Sequence, residues 1–461
     1  MAAARDQAFE RATFAKISWR LIPLLFAGYV AAFLDRVNVG FAKLQMAGEL
    51  HFSDAVYGFG AGIFFIGYFV LEVPSNLALN KVGARIWMSR IMFTWGVVSA
   101  GFVFLGTIRW GPIAASFGCS DAQFTFYILR FLLGAAEAGF FPGVILYLTF
   151  WFPSDRRARM VALFMSGIGV ANLIGSPISG AVLQFADGTF ALRGWQWLFL
   201  LEAVPSIVLG VLFLFLLPDG PRKAAWLTEA ERTVVIERVA GDEAAKQRST
   251  PGHVAAVFAD ARIWGFATVY FCGLVCFYAV NFWMPTIVQG MGIATRDYLR
   301  IGLISMIPWG ASIVAQIAWA HHSDRTGERR WHSVLGLMVS FGGLVLLAAV
   351  SHSPVLSLIG LTLITVGNSC WVVTFWSMPT SILGGTAAAA GIAWINSVGN
   401  LGGQFGPDII GRVRTANGGN NTAAFLVLAG FALAGIVILL IIAPASEAKA
   451  RSDAGPIATP A

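Results

Sequence analysis

The chain has 461 residues, 57% of them hydrophobic and only 12% Asp, Glu, Lys or Arg, with a net charge of +7; its mean hydropathy is +0.72. A soluble protein carries about 25% of the four charged types and needs them to cover its surface, so soluble, collagen-like, disordered and disulfide-scaffold readings are excluded. The positive balance does not point to nucleic acid either, because the Lys and Arg sit in short loops rather than along one stripe.

The first 16 residues are charged and lack a small-residue cleavage site before a short apolar core, so they read as a cytoplasmic tail, not a signal peptide. A helical span needs ~20 apolar residues to cross a ~30 Å hydrocarbon core. Segments of that kind run over 18–42, 54–80, 86–108, 122–150, 158–185 and 195–217. A hydrophilic stretch from Pro218 to Asp260 follows, then six more at 261–290, 298–320, 333–351, 354–383, 386–411 and 422–443. No Asp, Glu, Lys or Arg lies between Trp331 and Pro407; that plateau is divided at Ser351–Pro354 and Gly384–Thr386. The expectation is an all-α integral membrane protein with twelve transmembrane helices in two six-helix bundles. These are residues 1–217 and 261–461, joined by a cytoplasmic linker over 218–260.

Lys and Arg accumulate on the cytoplasmic side of a membrane. With the amino terminus inside, the inner segments hold Arg5, Arg11, Lys16 and Arg20, then Lys81, Arg85 and Arg90, then Arg156, Arg157 and Arg159. The basic linker, Arg325, Arg329, Arg330, Lys449 and Arg451 follow on the same side. The outer set is Lys43, Arg109, Arg193, Arg296, Arg300, Arg412 and Arg414. Both termini are therefore expected in the cytoplasm, in a multi-pass protein of the plasma (inner) membrane. The linker opens a helical stretch with the capping pattern Thr228-Glu229-Ala230-Glu231. Cys119, Cys272, Cys276 and Cys370 are scattered, so no disulfide framework is expected. Cys272 and Cys276 share a helix face, but no His or carboxylate cluster joins them; packing is expected there, with no metal and no cofactor.

The two halves echo one another. Asn80-Lys81-Val82-Gly83-Ala84-Arg85 follows the second span and Asp324-Arg325-Thr326-Gly327-Glu328-Arg329 the eighth, aligning Gly83 with Gly327 and Arg85 with Arg329. A duplication of this kind predicts two bundles rocking about a midplane site, with these segments as gating hinges.

At this point three motifs become familiar. Asp324-Arg325-x-Gly327-x-Arg329-Arg330 resembles the cytoplasmic signature of the major facilitator superfamily, Arg130-x-x-x-Gly134 its fourth-helix motif, and Gly167 through Gly175-x-Pro177-x-x-Gly180 its glycine-proline motif. More narrowly, the run from Phe33-Leu34-Asp35-Arg36 to Ala42 resembles the anion:cation symporter family. So do Glu72-Val73-Pro74-Ser75-Asn76, the run Arg130 to Gly143, and Gly194-Trp195-Gln196-Trp197-Leu198-Phe199. The likeness extends over nearly the whole chain. It implies the major facilitator fold and import of organic anions such as tartrate, galactonate, glucarate or phthalate with protons. One departure is Asn80, where the superfamily pattern often has Asp.

Ionisable groups inside a span cost ~2.5–3.5 kcal/mol each, so each asks for a partner or a task. Here they are Asp35, Arg36, Glu72, Arg130, Glu137, Glu202 and Asp408. Asp35 and Arg36 point about 100° apart on one helix, so one can face a cavity while the other meets a neighbouring helix. Arg36 suits a substrate-carboxylate clamp, because its planar guanidinium binds carboxylate in two-pronged fashion and keeps its proton. Asp35 suits a proton carrier; the alternative for both is a structural ion-pair network. Arg130 and Glu137, seven apart, share a face, and the resemblance implies proton coupling at Glu137 with Arg130 holding it or the gate. Glu72, Glu202 and Asp408 read as structural pairs or helix-end groups. Tyr57, Tyr68, Asn172, Asn396 and Asn400 are candidate donors to substrate oxygens, and Tyr278, Asn281, Trp283, Trp371 and Trp376 candidates to close over it. Interhelical hydrogen bonding and aromatic packing are the alternatives.

The sequence therefore points to a monomeric transporter whose partners are a small organic anion, a proton and the lipid bilayer, with no nucleic acid and no enzyme activity. A tartrate-like hydroxy acid or sugar acid is favoured, with an aromatic acid as the alternative substrate. A proton-independent exchanger or uniporter is the rival within transport, and a membrane sensor the rival outside it.

Overall fold

A chain crossing lipid must satisfy its backbone N–H and C=O groups internally, and helices do so within each segment. The computed structural model describes residues 2–249, 259–350, 353–382 and 385–442, and their regular structure is helical throughout. Among the described residues eleven helical segments are long and apolar enough to cross a membrane. They are Asp6–Glu49, Asp54–Val82, Ala84–Phe104, Asp121–Thr149, Ser154–Phe185, Gly194–Leu216, Ala261–Gln289, Tyr298–Thr326, Arg330–Ala349, Pro354–Thr380 and Thr422–Ile442. These are the first ten spans and the twelfth. The eleventh span is divided into two shorter helices, Gly385–Asn400 and Gly402–Ala416, which part at Leu401 within a glycine-rich run. The expected boundaries at Ser351 and Gly384 and the tail residues Lys449 and Arg451 lie outside the described residues.

Backbone packing divides the chain into two compact units: Met1–Phe52 with Ile63–Ser249, and Ser53–Gly62 with Thr250–Ala461. In the first unit, span one packs on spans five and six, and span three on spans four and six. Small residues bring these helices together: a Cβ on Gly134 would meet the Phe64 carbonyl oxygen at 1.9 Å, and one on Gly175 would meet Leu34 at 2.2 Å. Span four starts at a capping box between Ser120 and Gln123 and stops after Glu137. Gly139, with φ +87, takes the left-handed conformation that interrupts it, and a Cβ there would meet Ser75 Oγ at 2.3 Å. The helix resumes at Phe140.

The linker helix Glu229–Ser249 belongs to this unit as well. Its first turn is closed by Thr228 and Glu231, each accepting the other's backbone N–H. It docks through Lys16–Glu231 at 2.8 Å, Arg238–Glu10 at 3.1 Å and the Trp151–Trp226 stack at 5.7 Å.

The second unit repeats the packing scheme: span seven lies on spans eleven and twelve, and span nine on spans ten and twelve. The first turns of span two are part of it, where Gly58 and Gly411 allow close backbone approach to Pro407 and Asp54. On both units the exposed side chains of the spans include Val73, Leu77, Val314 and Ile441, as a lipid-facing surface requires.

Candidate functional site

The roughly 100° between consecutive helical residues separates Asp35 from Arg36. Arg36 faces spans two and four. Its guanidinium donates to Glu137 Oε1 and lies over the rings of Phe33, Phe64 and Tyr68 at 4.9, 5.2 and 5.6 Å. Glu137 is carried to this point on the last residue before the break in span four, and its Oε2 has no hydrogen-bond partner. Arg130, two turns earlier and fully buried, lies over Phe64 at 5.1 Å, and its field also reaches Glu137. Two guanidiniums thus act on one carboxylate in an aromatic enclosure where solvent does not screen them. The Tyr68 hydroxyl, at the same place, makes no hydrogen bond among the described residues.

Asp35 faces the other way, into spans three and six. It accepts from Ser99 at 2.8 Å, from Ser206 at 2.9 Å and from the Trp95 indole N–H. Beside it lies Glu202, which takes one hydrogen bond from Ser179 at 3.1 Å and feels the Asp35 charge. Neither acid has a salt-bridge partner among the described residues. Of the structural pairing or helix-end placement expected for Glu202, the helix-end placement is not what the structure has: the residue is 7% exposed and sits two turns inside a span that begins at Gly194. Counting from that glycine is the signal that could have located it. Trp95, Ser99 and Ser206 carried no comparable signal, since lone hydroxyls and indoles are ordinary in spans.

Of the sequence-derived residues, Arg36, Tyr68, Arg130 and Glu137 come together in the first unit. Asn172 is buried on span five but donates to its own helix, to the Ile168 carbonyl at 2.9 Å. In the second unit Asn400 likewise donates to the Asn396 carbonyl at 3.0 Å. Trp371 fills space left by Gly273 and Gly336 and donates to Asn368 at 3.2 Å. Asp408 pairs along its own helix with Arg412 at 2.8 Å.

The hinge segments differ in chemistry but close in the same way. Gly83 (φ +98) and Gly327 (φ +67) turn the chain between spans two and three and spans eight and nine. Arg329 pairs with Asp324 at 2.7 Å, and Arg325 stands exposed beside it. The first copy lacks that acid, having Asn80, and Asp219 from the end of span six takes the place, accepting the Arg85 N–H at 3.1 Å. The Arg85 side chain reaches the Leu214 carbonyl in the last turn of span six, and Arg330 the Leu440 carbonyl in the last turn of span twelve. In each copy a guanidinium caps a helix carboxyl end, where unpaired carbonyls and the helix dipole favour it.

Comparison with known proteins agrees in extent with this geometry. The Major Facilitator Superfamily profile matches residues 25–407. A "Putative tartrate transporter" of Agrobacterium vitis is 47% identical, over 94% of this chain and 91% of its own length. A "Putative metabolite transport protein NicT" of Pseudomonas putida is 42% identical, over 91% and 92%. Among solved structures, a D-xylose-proton symporter superposes with a TM-score of 0.72 at 13% identity, over 92% of this chain and 98% of its own; that likeness concerns the fold alone.

Proposed function

Since the chain belongs to the Major Facilitator Superfamily and is a multi-pass transport protein rather than an enzyme, we propose that it imports a small organic carboxylate with protons, by alternating access. The observation that carries this reading is the buried Arg36–Glu137 pair. While Glu137 is ionised it satisfies Arg36. Once Glu137 takes a proton, the guanidinium needs another anion, and a substrate carboxylate fits its planar fork. Proton and anion then favour one another's binding, which is what coupling requires. Tyr68 supplies a hydroxyl at the same place, Asp35 a second titrating group, and Arg130 the field that holds Glu137 in position. Asn172, Asn396, Asn400 and Trp371 are second-rank candidates for substrate contact. The tartrate transporter among the relatives supports a hydroxy acid or sugar acid. Residues 1–217 and 261–461 are the two bundles of the cycle, in a monomer of the plasma membrane with both termini cytoplasmic. Gly83, Arg85, Asp324, Arg325, Gly327 and Arg329 form its inner hinges.

The test is purified protein in proteoliposomes holding a pH indicator. Adding tartrate outside is expected to acidify the lumen, and Arg36→Ala to abolish the response. Tartrate uptake without proton movement would sink the coupling and leave an exchanger or uniporter. The rings of Phe33, Phe64 and Tyr68 around Arg36 favour one second reading, a planar aromatic acid; stabilisation by phthalate but not by tartrate in a thermal-shift screen would select it.

A further inference from the structure

The buried ionisable groups of the first unit do not balance. Among the described residues they are the carboxyls of Asp35, Glu72, Glu137 and Glu202 against the cations Arg36, Lys43 and Arg130. An unpaired charge in an apolar interior is costly enough that the group takes or loses a proton instead, so one carboxyl more than the cations favours a proton on a carboxyl. Among Asp35, Glu137 and Glu202 the hydrogen bonding singles out one. Glu137 has Arg36. Asp35 accepts from three donors, the environment of an ionised carboxylate. Glu202 has a single hydroxyl on Oε1, its Oε2 has no partner, and the nearest charge acting on it is another carboxylate, Asp35. Asn38, 1% exposed, lies within hydrogen-bonding reach of Glu202, although neither its Oδ1 nor its Nδ2 closes a bond of good geometry.

We infer that Glu202 is a proton-bearing acid and, with Asp35, forms a proton site distinct from the Arg36–Glu137 pair. Span three faces this site with Trp95 and Ser99, span five with Ser179 and span six with Ser206, none of them charged. Arg36 on span one is turned to Glu137, whose field reaches Asp35. The pair holds one proton and one negative charge. Moving the proton from Glu202 to Asp35 leaves a carboxylate on Glu202 and a carboxylic acid on Asp35, so the net charge of the interior is constant. Glu202 is thereby a proton reservoir for Asp35, a role that rests on the coupling reading above.

Infrared spectroscopy of the reconstituted full-length protein at neutral pH tests the protonation. The carbonyl band of a protonated carboxyl is expected in the wild type and lost in Glu202→Gln; a band that survives unchanged overturns the assignment. Transport tests the role: the ratio of pH-driven tartrate accumulation to tartrate exchange is expected to fall at least ten-fold in Glu202→Gln. A purely structural residue would lower both activities together and leave the ratio, which would overturn the reservoir. Should Glu202→Gln fail to fold, Ser179→Ala keeps both acids and is expected to shift the band, and an unmoved band counts against Glu202. A wild type with the Glu202 band but no substrate-driven proton movement would defeat the coupling reading and leave the protonated acid standing. A wild type without the band, whose uptake requires sodium, would overturn the proposal in favour of that ion.

Discussion

The two units share one packing scheme and differ in what they bury. The first encloses Asp35, Arg36, Lys43, Glu72, Arg130, Glu137 and Glu202. The buried polar residues of the second, among those described, are neutral side chains such as Ser305, Ser340, Asn368, Thr374 and Gln404, together with His332. Span-on-span contacts of the same order therefore form with and without internal charge. Glycine approaches, hydroxyls bonded to the preceding turn and aromatic filling are sufficient to pack the second unit. Packing by itself therefore does not require the charges of the first, and the proposed coupling gives their cost a purpose.

That contrast can be broken most severely at Arg36. Arg36→Ala leaves Glu137 buried without its partner, a change of about 3–5 kcal/mol. Asn368→Ala in the second unit removes one neutral hydrogen bond to Trp371, about 1 kcal/mol. Melting of the purified variants is expected to rank them in that order, and equal losses would undo the distinction between the units. Packing, by contrast, should be symmetric. Gly134→Ala drives a methyl into the Phe64 carbonyl and Gly367→Ala one into Ser340. Each is expected to cost about 1–3 kcal/mol, with substrate affinity in the folded fraction unchanged for Gly367→Ala. Smaller still, Arg85→Ala and Arg330→Ala each remove one helix-end cap, about 0.3–1 kcal/mol, and a several-fold difference between their melting shifts would show that the hinges are not equivalent.

The smallest effect lies at the linker. The Lys16 ammonium and the Thr228 N–H hold the Glu231 carboxyl below the usual glutamate range. A carboxyl depressed on docking contributes stability above its free value and loses it as pH falls through the docked value. Proteolysis of the linker helix is therefore expected to accelerate below about pH 4, and Lys16→Ala to weaken docking by about 0.2–1 kcal/mol at neutral pH. Proteolysis that does not respond to either change would show that the Lys16–Glu231 pair is dispensable for docking the helix.

Much of this was legible in advance, for particular reasons. The spans follow from apolar length, and the linker helix starts where Thr228 and Glu231 can close its first turn. The motifs pointed to Arg36, Arg130 and Glu137, which do meet. Asp35 and Arg36 were bound to diverge by helix geometry, but the direction each took was not in the local sequence. Asn80 departs from a pattern that often has Asp, and only the fold brings Asp219, far along the chain, to the Arg85 N–H of that hinge. The break in the eleventh span falls in a glycine-rich run that hydropathy treats as continuous. Local sequence leaves Glu202 as a structural pair or a helix-end group, because a carboxylate's partners lie on other helices.

The sequence by itself determined the solvent, the class and the inventory of buried charge, because apolar length and the cost of an ion in lipid are properties of single segments. Which carboxyl meets a guanidinium and which meets only hydroxyls was decided by the tertiary structure alone. Those pairings depend on how each helix is turned against its neighbours, and the close approaches at Gly134, Gly139 and Gly175 set that rotation.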